Sequence, residues 1–189
     1  MIIIGLAGKA ESGKTTFAGL LKGQFENIGK RVLFINYADY VKFIAEKYYK
    51  WNGKKDEFGR HLLQQIGTEK GRKLVNENLW VDMVIDTVQL AQYDFDVTII
   101  GDCRFPNEFN RWTQRGGHII KVLIERPNYE NHLTEAQRKH LSEVALDNYN
   151  DWDITVVNSG NLSDFMKTAK TLVAKITNEL TQITNLQNN

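Results

Sequence analysis

Five short runs of aliphatic and β-branched residues punctuate the chain, at 2–6, 32–35, 97–100, 119–124 and 154–157. Each is short for a helix and rich in side chains that fit a pleated surface, which predicts five strands. Between the first two, Phe17, Leu20, Leu21, Phe25 and Ile28 recur at helical spacing, and Gly29 follows where a helix commonly stops. Val41, Ile44, Ala45 and Tyr48 form a second helical stripe that fades at the polar Asn52-Gly53-Lys54-Lys55. A weaker helical pattern covers 58–73, and a stronger one runs through Trp80, Met83, Val84, Val88 and Ala91. A loop at Pro106 leads to a short helix ending at Gly116-Gly117, and Pro127, which has no N–H for a sheet ladder, ends the fourth strand. Residues 128–150 are polar and mixed in charge, an excursion rather than core. Asn161 is positioned to cap a long amphipathic helix through Leu162, Phe165, Met166, Ala169, Leu172, Val173, Ile176, Leu180 and Ile183. Strands alternating with helices predict an α/β protein with a parallel sheet covered on both faces. No repeat or linker interrupts the pattern, so one domain over 1–189 is expected.

Composition narrows the partners. With 24 basic against 23 acidic residues the net charge is +1, which argues against an extended grip on nucleic acid or an anionic membrane. No stretch approaches the ~18 apolar residues of a membrane helix, and the start lacks a signal-peptide pattern, so a cytoplasmic protein is expected. Cys103 stands alone, which leaves no internal disulfide framework and no cysteine-rich zinc site; it reads as a small buried group. The four tryptophans, Trp51, Trp80, Trp112 and Trp152, read as packing residues. The charge is unevenly spread: 41–73 holds nine basic and four acidic residues, and 74–103 holds six acids and no base. The basic segment is either a solvated face or a docking surface for a small anion such as phosphate.

Gly8-Lys9-Ala10-Glu11-Ser12-Gly13-Lys14-Thr15 fits G-x-x-x-x-G-K-[ST] between the first strand and the first helix, the context that a phosphate-binding loop requires. Curled backbone N–H groups and the helix N-terminus would bind a polyphosphate, Lys14 would reach the β- and γ-phosphates, and the Thr15 hydroxyl would ligate Mg2+. Asp102, just after an apolar strand, is the second expected metal residue, facing the same crevice. An N-K-x-D element is absent, so a GTPase of the G-domain type is not indicated. If 58–73 is helical, Arg60, Gln64, Thr68 and Arg72 share one broad polar face, suited either to an acceptor phosphate and base or to plain solvent exposure.

Here the chain resembles a family. Gly8 through Thr16, Tyr37-Ala38-Asp39, the run from Arg60 to Glu69, the run from Asp102 to Glu108 and His140-Leu141-Ser142-Glu143 are together similar to the deoxynucleoside monophosphate kinases of tailed bacteriophages, an adenylate-kinase-like branch of P-loop kinases. The resemblance spans residues 2 to about 165. It implies a three-layer P-loop kinase fold with five parallel strands, an acceptor-binding segment at about 39–92 and a lid at about 127–150. It implies ATP and Mg2+ as donor and cofactor, with Gly8, Glu11, Ser12, Gly13, Lys14, Thr15, Thr16, Asn158 and Gly160 around the donor. Asp39, Arg60, Gln64, Arg72, Arg104, Phe105, Glu108, Arg126, His140 and Glu143 become candidates for the acceptor nucleotide. Lys14, Arg104 and Arg138 become candidates for stabilising the transferred group. The reaction implied is transfer of the γ-phosphoryl of ATP to a deoxynucleoside 5′-monophosphate. Kinases of dephospho-coenzyme A or phosphomevalonate, and a non-catalytic nucleotide-dependent binding module, remain as alternatives. A homodimer is compatible with the sequence, which does not specify the base or sugar accepted.

Overall fold

A computed structural model describes the backbone of residues 1–187 and the side chains of residues 1–178. Strands β1 (Ile2–Ala7), β2 (Val32–Ile35), β3 (Val97–Cys103), β4 (Ile120–Glu125) and β5 (Ile154–Val157) form one parallel sheet in the order β2-β3-β1-β4-β5. Side chains alternate along the central strand. Ile4 and Leu6 point into a core with α1 (Lys14–Asn27) and α8 (Leu162–Gln187), while Ile3 and Ala7 point into a core on the opposite face. That second core is built by α2 (Ala38–Tyr49), α3 (Glu57–Gln64), a π-helical turn (Gln65–Val75), α4 (Leu79–Ala91) and α5 (Asn107–Gln114). Helices therefore cover both faces, as the alternating pattern requires.

All five expected strands form, but β3 runs on past Ile100 to Cys103. Its register with β1 slips there: Gly5 pairs with Ile100 and Ala7 with Cys103, so β3 carries one extra residue. A bulge of this kind re-aims side chains at a strand end. It lets Ile100 and Cys103 face the same core although they are three apart, and it leaves Asp102 half-buried at the crevice.

The weak helical pattern at 58–73 becomes two things, α3 and then the π-helical turn, whose wider winding no sequence period announces. Tertiary contacts impose it. The Trp80 indole N–H donates to the Gly67 carbonyl at 2.8 Å, and Asn76 N reaches back five residues to the Gly71 carbonyl at 3.0 Å. Gly71 lies so close to the Trp80 ring that a Cβ there would stand 2.6 Å from it. Such turns recur at functional sites.

In the excursion after β4, two four-residue helices form, α6 (Glu135–Arg138) and α7 (Leu141–Val144). Both have local caps, a Thr134–Gln137 capping box and the His140 ring. In α8, Asn161 caps as expected by accepting from Ser163 N at 2.9 Å. Phe165, Ala169, Leu172, Val173 and Ile176 are buried, whereas Leu162 and Met166 are exposed; Leu180 and Ile183 lie outside the described side chains. Trp51, Trp80 and Trp112 are buried packing residues, Trp152 packs half-buried against the same core, and Cys103 is fully buried. Among the described residues no helix is long and apolar enough to cross a membrane.

Candidate active site

The loop between β1 and α1 curls because two of its residues have no Cβ. Gly8 (φ 143°) passes so close to β4 that a Cβ would lie 2.3 Å from the Ile124 carbonyl oxygen. Gly13 (φ 102°), where a Cβ would lie 2.5 Å from Asn158 Nδ2, starts α1. Glu11 also adopts a left-handed backbone, at φ 62°. The Asn158 amide fastens the β5 end to this loop, donating to the Ser12 carbonyl at 2.9 Å and accepting from Gly160 N at 2.9 Å. Ser12 itself is buried, its hydroxyl without a hydrogen-bond partner.

Lys14 donates to the Gly8 and Lys9 carbonyls at 2.6 and 2.7 Å. Burial, followed by the nearby charge of Arg104, brings its ammonium down to about 8. Its hydrogen bonds go to backbone carbonyls, and the Glu143 and Asp102 carboxylates offset its charge only in part, an arrangement that phosphate oxygens would relieve.

From this loop a cavity of about 860 Å³ extends over the carboxyl ends of β1, β2 and β3, the place where ligands bind in open α/β sheets. Thr15 and Thr16 line it at the start of α1, and Asn158, Gly160 and Leu162 line its β5 side. Arg60, Gln64, Thr68 and Arg72 all line the opposite end. The π-helical winding keeps them together. In an α-helix each four-residue step advances the face by ~40°, whereas more than four residues per turn reverse that drift from Gln64 onward.

Each carboxylate of the site has partners. Asp102 accepts from Tyr37 N at 2.8 Å and Ala38 N at 3.0 Å, tying the β3 end to the start of α2; burial raises its pKa against the pull of these two amides. Glu108 accepts from Phe105 N at 3.0 Å, from Arg104 N, and from the Arg72 guanidinium. The Arg72 and Glu108 side chains are 10% and 2% exposed, and the guanidinium also stacks over Phe105 with its centre 4.1 Å from the ring. Burial pushes the Glu108 carboxyl up to about 7, against the attraction of Arg72.

Glu143 bridges the phosphate loop and β3. It accepts from Ala10 N at 3.2 Å and pairs with Arg104, which also reaches the Ser142 carbonyl at 3.3 Å. Lys9 holds the same segment through the Glu143 carbonyl at 2.6 Å and an ion pair with Asp147. On the other side, Glu11 accepts from His132 N at 3.2 Å and Tyr129 OH at 3.2 Å and meets the His132 ring at 2.9 Å, contacts led by His132 that lower its pKa. Arg126 stacks over Tyr129 at 3.7 Å and donates to the Glu11 carbonyl at 3.3 Å.

The residues singled out in the sequence separate into two groups. Lys14, Thr15, Thr16, Glu11, Gly13, Asn158, Gly160, Arg60, Gln64, Arg72, Asp102, Arg104, Phe105, Glu108, Arg126 and Glu143 converge on the one cavity. Five others do not line it, among them Gly8, which passes against β4. Arg138 folds back on its own segment, donating to the Leu133 and Asn131 carbonyls at 3.0 and 3.2 Å. His140 caps α7 by accepting from Ser142 N at 3.2 Å, and Asp39 holds Asn36 N and the Lys42 ammonium, both at 2.8 Å. The Ser12 side chain lies beneath the loop.

Sequence reasoning missed Asn36, Lys42 and Lys55 as site residues and took Tyr37 only as part of a family motif; all four line the cavity. The basic excess of 41–73 was the available signal for the two lysines; nothing local distinguished them from Lys47 or Lys54.

The sheet order and the phosphate loop at the end of β1 give the chain the P-loop kinase fold. A gluconokinase from Sinorhizobium meliloti 1021 superposes with a TM-score of 0.50 at 15% identity, covering 95% of both chains. A sugar kinase from Janibacter sp. HTCC2649 does so at 0.50 and 14%, over 90% of this chain and 93% of that one. Sequence carries the assignment further: residues 30–169 match the deoxynucleotide monophosphate kinase family. A 190-residue alignment at 30% identity relates 87% of the chain to 92% of a protein of Acanthamoeba polyphaga mimivirus named for the same activity. The deoxynucleoside-5′-monophosphate kinase of Escherichia phage T5 is 49% identical over 49 residues, a match spanning 26% of this chain and 19% of that protein. The chain belongs to the deoxynucleotide monophosphate kinase family and is a kinase.

Proposed function

We propose that the protein transfers the γ-phosphoryl group of MgATP to the 5′-phosphate of a deoxynucleoside monophosphate, giving the diphosphate and ADP. One observation carries this reading: a single cavity joins a phosphate loop at one end to a second cluster of cations, Lys42, Lys55, Arg60 and Arg104, at the other. Two phosphorylated molecules can share it. On this reading 39–92 serves the acceptor, 127–150 is the lid, and the Asn158–Gly160 turn borders the donor base.

The loop fits a triphosphate because Gly8 and Gly13 allow a tight curl that a Cβ at either would block, and because Lys14 is hydrogen-bonded only to the loop's own carbonyls. Thr15 and Asp102 are the residues that would hold magnesium; the Asp102 carboxylate, with two amides bound, keeps further lone pairs for a metal-bound water. The ion would neutralise phosphate charge. No cluster of three His, Cys, Asp or Glu side chains forms among the described residues, and a magnesium site completed by phosphates and waters needs none.

The acceptor phosphate is already anionic at neutral pH, so alignment and charge neutralisation replace a general base. Lys14 would exchange its carbonyl partners for phosphate oxygens. Arg104, electrostatically coupled to both Lys14 and Lys55, would steady the group in transit once it parts from Glu143. Closing the 127–150 segment, next to Arg126, would exclude water and limit hydrolysis of ATP.

A coupled ADP-release assay over dTMP, dGMP, dCMP, dAMP and their ribose counterparts tests the reading. Stimulation by one or more deoxynucleotides is expected, with a loss of about 100-fold or more in Lys14→Ala and Arg104→Ala at unchanged fold. Stimulation only by a non-nucleotide acceptor would overturn it.

A further inference from the structure

We propose that Lys55 contacts the 5′-phosphate of the acceptor nucleotide and is a main source of affinity for its charge, an inference that rests on the reaction proposed above. The loop that carries it is fastened in advance. Trp51 is buried and its indole N–H donates to the Lys54 carbonyl at 2.9 Å. Asn52 accepts from Lys54 N at 3.0 Å, and Asp56 caps α3 through Gly59 N at 2.8 Å. The Arg60 guanidinium holds the Lys55 carbonyl at 3.1 Å. Gly59 packs so closely beneath that a Cβ would meet the Lys54 carbonyl oxygen at 2.1 Å. A loop ordered before binding loses little further entropy when a ligand arrives.

What this loop presents is an uncommitted cation. The Lys55 ammonium lines the cavity with no hydrogen bond or ion pair among the described residues. The other cations nearby are engaged: Arg104 with Glu143, Arg72 with Glu108, Lys42 with Asp39. Arg60, its neighbour, has only the Lys55 carbonyl. The charges that face Lys55 are Lys42, Arg60 and Arg104, with Asp102 opposing them, so the cavity wall carries excess positive charge. Partial desolvation and those three cations hold its ammonium below the usual lysine range, the state that a phosphate dianion would reverse. Arg72, named from the sequence for a nucleotide contact, is already saturated by Glu108 and Phe105. A lysine is a point charge that follows a phosphate without demanding a fixed fork.

The test uses the full-length protein with Lys55→Gln and Lys55→Arg. Steady-state transfer and calorimetric binding are measured with the accepted deoxynucleoside monophosphate and with its unphosphorylated nucleoside. For Lys55→Gln, KM and Kd for the monophosphate are expected to rise about 10- to 100-fold, the range of a hydrogen bond to a charged group. KM for ATP, nucleoside binding and the melting temperature should stay unchanged, the salt dependence of monophosphate binding should weaken, and Lys55→Arg should restore most of the loss. Monophosphate KM and Kd within twofold of wild type in Lys55→Gln would refute the role of Lys55 while leaving the reaction intact. Wild-type protein that binds the monophosphate without transferring phosphate would refute the reaction, and loss of that binding in Lys55→Gln would still support the contact. Wild-type protein that neither binds nor phosphorylates any deoxynucleoside monophosphate would overturn both.

Discussion

The buried pair between Arg72 and Glu108 offers a perturbation whose size can be worked from geometry. Glu108 holds three groups at once: the guanidinium of the π-helical turn and the backbone N–H groups of Arg104 and Phe105. Glu108→Ala would leave a nearly buried guanidinium without its counterion and two amides without an acceptor. Breaking a buried pair on one side costs about 3–5 kcal/mol. For a chain of this size each kcal/mol lowers the melting temperature by about 2–4 °C, so a fall of roughly 6–20 °C is expected. Arg72→Met would be costly for the same reason, because it strands the carboxylate. The double variant removes both charges, so its cost should fall short of the sum of the singles by about 1–3 kcal/mol. Urea unfolding of wild type, both singles and the double measures this coupling. Singles within 0.5 kcal/mol of wild type, or strictly additive changes, would show that the pair does not hold the turn to α5 and would refute the reasoning. The pair also predicts a pH signature. The Glu108 carboxyl rises from about 4.5 unfolded to about 7 folded, so the native state holds the proton more tightly. Stability is then greatest below the unfolded value and declines as pH climbs through 7, a decline that Glu108→Gln should flatten.

Lys14, brought down to about 8, should make nucleoside triphosphate binding weaken as pH rises through that value, with proton uptake on binding above it; calorimetry in buffers of different ionisation enthalpy reads both, and a flat profile from pH 7 to 9.5 would contradict it. The free protein should gain stability over the same rise, because the unfolded lysine keeps its proton to about 10.4 and the native one does not. Gly71→Ala sets a Cβ 2.6 Å from Trp80 and 2.8 Å from the Ile66 carbonyl oxygen. It should cost about 1–3 kcal/mol by overpacking and raise KM for the acceptor more than for ATP; equal stability would show that the turn tolerates repacking. Asp102→Ala frees two amides at the start of α2 and should destabilise by about 0.5–2 kcal/mol, measured by urea unfolding, in line with a lost helix cap.

The sheet was legible in the sequence because strand length and β-branched content are local properties, and β2 and β5 fall where the pattern sets them. The phosphate loop was legible for a related reason: its glycines serve a backbone need that Gly8 and Gly13 display directly. Three features were not. The extra residue in β3 depends on its register against β1, and the π-helical turn depends on Trp80, which lies 13 residues beyond the Gly67 carbonyl it binds. Neither leaves a period in the chain. The third is the division of the charged residues between scaffold and cavity. Arg138 and His140 look as available as Arg60 and Lys55 in sequence, and only the fold spends the first two on the Leu133 and Asn131 carbonyls and the Ser142 amide.

The most direct test follows the phosphorus itself. Purified protein is incubated with ATP labelled in its γ-phosphate, magnesium and a mixture of the four deoxynucleoside monophosphates, and the products are separated. The account predicts label in the β-phosphate of a deoxynucleoside diphosphate, abolished by Lys14→Ala. Label appearing only in inorganic phosphate, or remaining in ATP whichever monophosphate is added, would contradict it.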